Sequence, residues 1–252
     1  MTFFWLFFSV FALIWGSFLN VVACRLMNNG NIIRPRSHCP NCKTPIAWYD
    51  NIPVLSFILL GGKCRTCKKP ISFLYPFIEL SALSFVLLYA QVPEYFFAYA
   101  LFFSALLVTV RTDLEYMLIS RLTTIGVIPC AWLLSYFGML PITLYTSIVG
   151  TVVGYASLWI IAYIFYALTK KHGLGEGDFD LLALIGAFCG SGGVFITVLI
   201  GSWIGTFISI VYIIAAKKNL QAKIPFGPFL AFGAMCYVIG QDAIEQLLHL
   251  LA

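Results

Sequence analysis

Two short acidic segments in this chain carry residue types that could hydrolyse an amide: Gly175-Glu176-Gly177-Asp178 and Arg111-Thr112-Asp113-Leu114-Glu115. Each lies where a polar turn meets an apolar run. An ionised carboxylate at the edge of a membrane span is costly, and so marks function more often than decoration. One aspartate can bind a cation or accept a proton. Amide hydrolysis by carboxylates takes two, one to activate water and one to protonate. Asp113 and Asp178 are the natural pair. Glu115 is the rival for the first position, but residues two apart on a helix face different ways, and Asp113 is nearer the apolar run. Two close carboxylates in a water-lined site would share one proton, so that one serves as base and the other as acid without metal or covalent intermediate. The alternative is a pair of ordinary interfacial acids on wet loops.

The elements that must position these residues are membrane spans. Hydrophobic residues make up 61% of the 252 and charged residues only 10%, against about a quarter charged in soluble domains. The expected fold is an all-α polytopic membrane protein. Apolar runs at 2–22, 73–91, 95–110, 122–140, 142–169, 179–190, 194–216 and 225–239 predict about eight transmembrane helices. The first lacks a basic leading segment and is expected to remain as a helix. Residues 1–24 then form the first span, 25–72 a polar loop domain between the first and second spans, and 73–252 the core.

Lys and Arg mark the cytoplasmic loops. Residues 25–72 hold eight basic residues; Arg111 and Arg121, Lys170 and Lys171, and Lys217, Lys218 and Lys223 supply the rest. With eight spans all fifteen fall on one face, and the connections near 91–94, 140–141 and 190–193 contain none. Both termini are expected to face outward, with Asp113 and Asp178 together on the cytoplasmic side. The sixth run is short, about 18 Å of helix against about 30 Å of hydrocarbon. Either the bilayer thins there or the Asp178 loop dips inward, which Gly173, Gly175 and Gly177 permit where protein or water surrounds it. No internal repeat or low-complexity stretch is evident.

Of eight cysteines, four form Cys39-Pro40-Asn41-Cys42 and Cys64-Arg65-Thr66-Cys67, with 21 residues between the pairs. Paired turns of this kind fit one closed structural zinc site, with reactive dithiols as the alternative. His38 adjoins this set and could replace a ligand, although a solvated loop histidine is the simpler reading. Cys24, Cys130, Cys189 and Cys236 read as buried free thiols. Trp48, Tyr49 and the apolar stretch 52–60 suggest a segment lying on the membrane surface, ended by Gly61-Gly62. The loop's eight basic residues against one acid, Asp50, suit anionic headgroups, so membrane lipids are expected partners. No nucleic-acid module is recognisable, and no nucleic-acid partner is expected. His38, His172 and His249 are scattered and no His-Glu-x-x-His occurs, which argues against a zinc protease. Ser191 reads as a loop serine. Glu79, inside the second run, either lines a site, pairs with a basic loop residue or is a buried structural partner. Ile224-Pro225-Phe226-Gly227-Pro228 reads as a helix start.

Several motifs in one order resemble a known family. They are Gly16-Ser17-Phe18-Leu19-Asn20-Val21-Val22 with Arg25, the two cysteine pairs, Trp48-Tyr49-Asp50-Asn51-Ile52-Pro53, Tyr75-Pro76 with Glu79, Asp113-Leu114-Glu115, Gly175-Glu176-Gly177-Asp178 with Leu181-Leu182-Ala183, and Ile224 to Pro228. Together they resemble the type 4 prepilin leader peptidases, bacterial intramembrane aspartic proteases with a Gly-x-Gly-Asp motif. The resemblance implies catalysis by Asp113 and Asp178 in the bacterial inner membrane, at its cytoplasmic face. It implies that the partners are precursors of type IV pilins or type II secretion pseudopilins, cut after a glycine to release a short basic leader. It also implies N-methylation of the new terminus from S-adenosylmethionine, for which no fingerprint is visible here. Three positions depart from the family pattern: Ser120-Arg121 stands in place of Pro-Asp, Leu74 in place of a basic residue, and Asp180 in place of a lysine.

Asp113, Glu115, Glu176, Asp178 and Asp180 are five of the chain's ten acids. A basic loop repels a basic leader, so this cluster is where such a leader is expected to dock. Glu176 and Asp180 are expected to steer it while Asp113 and Asp178 cut, with Gly175, Gly177 and Glu79 shaping the substrate site. Two other classes compete. An ion-coupled transporter would use the same acids but predicts related halves, and a non-catalytic assembly scaffold would use only the zinc loop. Oligomeric state is not legible in the sequence.

Overall fold

The computed structural model describes residues 2–28, 30–31, 33–34, 36–89, 94–171, 173–215 and 224–251, with side chains from Trp5 to Gln241. His172, Lys217, Lys218, Lys223 and residues 91–93 lie outside the described residues, as does the His249 side chain. The described chain is mostly helical and contains no strand. It forms two compact units, 1–96 and 97–252.

In the first unit, α1 (Thr2–Met27) packs against α3 (Leu74–Tyr89). Their backbones meet closely at Gly16, where a methyl would lie 2.7 Å from the Glu79 Cα. Asn20, only 1% exposed, stitches the two helices by donating to Gly16 O and Tyr75 O. A buried amide facing apolar neighbours must be satisfied in this way. The opposite face of α1, with Phe7, Phe11, Trp15 and Phe18, is exposed. This polar-in, apolar-out order suits lipid rather than water. Between the helices runs the loop domain, which holds a 310 turn (Trp48–Asp50) and the short α2 (Leu55–Leu59). Gly61 (φ 60°) and Gly62 (φ 65°) end α2 as expected, and Trp48, Leu55, Ile58 and Leu59 are exposed.

The second unit contains α4 (Phe96–Tyr116, its first residue at the unit boundary), α5 (Ile128–Tyr136), α6 (Leu144–Thr169), α7 (Glu176–Ala215) and α8 (Gly227–Leu251). A straight 40-residue helix would be about 60 Å long, twice the hydrocarbon thickness. α7 avoids this at Gly190, whose φ of 69° and ψ of −177° break the helix. A methyl on Gly186 would lie 3.0 Å from Val194 Cγ2, whereas eight residues of straight helix advance about 12 Å. The chain therefore turns back on itself at Gly190, giving two arms where the sequence predicts two runs. The first arm is buried from Phe179 to Gly190. Protein rather than lipid surrounds it, which is why so short a helix is tolerated. α6 lies close against it: Ser147 Oγ donates to Ala187 O at 2.5 Å, and Gly150 leaves no room for a side chain beside Gly186 O.

α1, α4, α6 and α7 are long and apolar enough to cross a membrane; α3, residues 125–136 and residues 227–241 are shorter apolar helices. The run 122–140 departs most from expectation. Residues 121–124 form turns, a 310 turn follows at Ile125–Val127, and α5 has only nine residues. Pro129 sits in the first turn of α5, and Gly138 (φ 70°) lies beyond its end, so start and stop signals divide what hydropathy alone reads as continuous.

Candidate active site

Asp113 lies in the last turn of α4 and is 6% exposed. Its Oδ2 accepts a hydrogen bond from Gly227 N at 3.0 Å. Gly227 is the first residue of α8, so its amide is one of the unpaired donors at a helix N-terminus, where an anion is favoured. A methyl at position 227 would lie 2.7 Å from that same oxygen. Asp178 occupies the first turn of α7, the other helix start in this region. Its carboxyl curls back over the loop: Oδ2 lies 3.4 Å from where a Cβ on Gly175 would be, and Asp178 N donates to Gly175 O at 3.2 Å. Two helix N-termini, those of α7 and α8, thus serve the two aspartates.

Ile119, beyond the end of α4, joins these pieces. Its Cβ lies 2.7 Å from a methyl built on Gly177, and its Cδ1 lies 3.3 Å from one built on Gly227. Only residues without a side chain let it approach both helix starts. Met117, at φ 54° with its N–H on Asp113 O, turns the chain out of α4 toward Ile119. The structure therefore brings Asp113 and Asp178 into one cluster around Ile119, through Gly227 on one side and Gly177 on the other.

Glu115, the rival to Asp113, points elsewhere. It pairs with Arg111 one turn earlier, a residue whose side chain is fully buried. Glu176 and Asp180 differ from expectation. Four residues apart, they share a helix face distinct from that of Asp178. Arg121 reaches both, with Nε 3.3 Å from Asp180 Oδ2 and Nη2 3.1 Å from Glu176 Oε2. The Asp180 side chain is 4% exposed and the Glu176 side chain 83%, so of the two only Glu176 faces outward. Sequence reasoning missed Arg121, Ile119 and Gly227 as members of the cluster. The i, i+4 spacing of two acids was a legible sign that one cation could bridge them.

In the loop domain, Cys39, Cys42, Cys64 and Cys67 offer sulfurs that all lie within 4.8 Å of one another. A tetrahedral site with metal–sulfur bonds of about 2.3 Å separates its sulfurs by about 3.8 Å. Cys39 Sγ and Cys67 Sγ are 3.8 Å apart. The set fits a metal ion, and His38 is exposed with its ring toward Arg36 O, outside the set. The two halves are copies. In each, the first cysteine's N–H bonds the carbonyl of Thr44 or Lys69, the residue after the second cysteine's lysine, and Lys43 and Lys68 both take φ 58°. Cys42-Lys43-Thr44-Pro45-Ile46 and Cys67-Lys68-Lys69-Pro70-Ile71 show the repeat in sequence, correcting the reading that no internal repeat exists. Hydrogen bonds from the Thr44 side chain and backbone lower the Cys42 thiol to about 6. Backbone hydrogen bonds at Cys67 and Thr66 lower that of Cys64. Arg65 donates to Asp50 through Nε and Nη2, at 2.7 and 2.6 Å, holding that carboxyl below its usual range and tying the 310 turn to the second cysteine turn.

Glu79 is 6% exposed and accepts the Val54 N–H at 2.7 Å. Val54 has φ 60°, costly for a β-branched residue. Of the three readings for Glu79, the contact is of the structural kind, to loop backbone rather than to a basic side chain.

The family models agree with this division. Residues 10–92 match the bacterial peptidase A24 N-terminal domain and residues 100–210 the type IV leader peptidase family. Curated relatives named prepilin leader peptidase/N-methyltransferase match along nearly the whole chain. The Aeromonas hydrophila protein is 35% identical, covering 96% of this chain and 93% of the relative. The Pseudomonas aeruginosa protein is 32% identical over 92% and 88%, and that of Neisseria gonorrhoeae 31% over 96% and 92%. No solved structure matches significantly. With two adjoining domain models and relatives above 30% identity along almost its full length, this chain belongs to the type IV leader peptidase family, a family of proteases.

Proposed function

We infer that the protein is an intramembrane aspartic endopeptidase that removes a short basic leader from type IV prepilins or type II secretion pseudopilins. The observation that carries this reading is the convergence of Asp113 and Asp178 on two helix N-termini, held there by Ile119. In this reading the dyad holds one proton. The ionised member takes a proton from water as the oxygen attacks the scissile carbonyl carbon. The other donates its proton as the C–N bond breaks, so the leaving nitrogen departs as an amine and the dyad again holds one proton. The helix termini favour the single negative charge that remains. Gly175 and Gly177 shape the floor of this site, and Glu176, the exposed acid, meets the basic leader.

Eight crossings underlie this reading, taking the two arms of α7 separately and counting the shorter apolar segments, α3, residues 125–136 and residues 227–241, with the long helices. Both termini then face outward, and the basic loops and dyad face the cytoplasm from a bacterial inner membrane. The four cysteines hold a structural zinc ion, which would lock the two cysteine turns together. The relatives' names include N-methyltransferase, and we extend this to the chain as a second activity that takes S-adenosylmethionine; its site is not assigned. The test is incubation of the purified full chain with a synthetic precursor that has a basic leader, a glycine and an apolar helix. Leader loss with a new N-terminus after the glycine supports the peptidase, and a further 14 Da (one methylene) added only with S-adenosylmethionine supports methylation. An intact precursor under all conditions contradicts both.

A further inference from the structure

We propose that Arg121 is a positioning residue whose guanidinium clasps Asp180 and Glu176, fixing the loop that leaves Asp113 to the helix that carries Asp178. The proposal rests on the peptidase reading for its effect on rate, but its geometry stands alone.

Arg121 is firmly mounted. Ser120 O accepts from Thr123 N, Thr123 Oγ1 and Thr124 Oγ1, Thr124 is fully buried, and Gly126 N donates to Arg121 O. Two residues earlier, Ile119 is wedged against Gly177 and Gly227. The segment 119–121 therefore grips the first turn of α7 twice, by an apolar contact at Gly177 and by an ion pair at residues 176 and 180. Asp178 lies between these grips in the chain. The two arms of the clasp are unequal. Arg121 and Glu176 are 71% and 83% exposed, and such a pair contributes little. The Asp180 side chain is 4% exposed, and a buried carboxylate stripped of its cation is heavily penalised. Asp180 is the anchor and Glu176 the exchangeable partner. A planar guanidinium can serve two acids from different edges, which an ammonium on a shorter reach does less well.

The experiment uses full-length protein in detergent or vesicles, with Arg121→Asp, Asp180→Arg, the double exchange, Arg121→Lys and, as control, Asp178→Asn. Two readouts are taken: kinetics on the synthetic precursor, and hydrogen exchange across residues 173–182. Each single reversal should speed exchange in that segment and lower kcat on the order of 10- to 100-fold, because small displacements of reacting groups cost rate; kcat at saturating precursor is the readout, since the reversals also change the charge beside Glu176 and so shift KM. The double exchange should restore both to within about fivefold, and Arg121→Lys should fall between. Unchanged exchange in the single variants, or a double variant no better than the weaker single, overturns the clasp. If the wild type fails to cut, or Asp178→Asn cuts equally well, the peptidase reading fails instead, and hydrogen exchange alone decides the clasp. Should the reversals fail to fold, Arg121→Lys exchange decides it, and wild-type protection in that variant overturns it.

Discussion

At the residue scale, the site is built on contacts that leave no spare volume. Gly227→Ala would set a methyl 2.7 Å from Asp113 Oδ2, so the carboxylate must move. The expected outcome is loss of more than about tenfold in kcat with little change in the thermal midpoint, measured on the purified variant. The cysteines make a different prediction. Metal ligation by cysteine takes the thiolate, so protons compete with the ion for all four sulfurs. Metal content, read by mass spectrometry after equilibration from pH 8 to 4, should hold at neutral pH and fall on acidification; content unchanged down to pH 4 would contradict a four-thiolate site. Asp113 and Asp178 were legible in the sequence because carboxylates beside apolar runs are costly. Arg121 was not, because its partners lie 55 and 59 residues away and an interfacial arginine has many other uses.

At the element scale, the turn in α7 rests on one residue. Gly190 has φ 69°, and a Cβ there would meet Thr146 Cγ2 at 2.9 Å. Gly190→Ala therefore combines backbone strain of roughly 1–3 kcal/mol, in a region open almost only to glycine, with a clash. A thermal midpoint in detergent several degrees below wild type is expected, and an unchanged midpoint would remove the basis for the reversal. Hydropathy found the two arms of α7 because Ser191 and three glycines interrupt the apolar run. It overextended α5, where Pro129 and Gly138 bound the helix but apolar residues continue past both. Which face of each helix turns inward was not legible. Lipid-facing positions are as apolar as the interior, so periodicity carries no amphipathic signal; Ser147 against Ala187 O emerges only from the fold.

At the scale of the whole molecule, the chain combines a unit centred on four cysteines with a unit centred on two aspartates, each matched by its own domain model. The loop domain lacks a large apolar core of its own, the situation in which small domains take their stability from a metal, and its four sulfurs could hold one. Chelation should open residues 36–72 to limited proteolysis while 97–215 stays protected; equal protection before and after chelation would mean the loop holds without metal. The most direct measurement of the central claim is single-turnover cleavage of a basic-leader precursor by wild type, Asp113→Asn and Asp178→Asn in vesicles. The account predicts that either amide alone abolishes cleavage, by at least about 1,000-fold, with the fold intact. Cleavage within tenfold of wild type by either variant would contradict it.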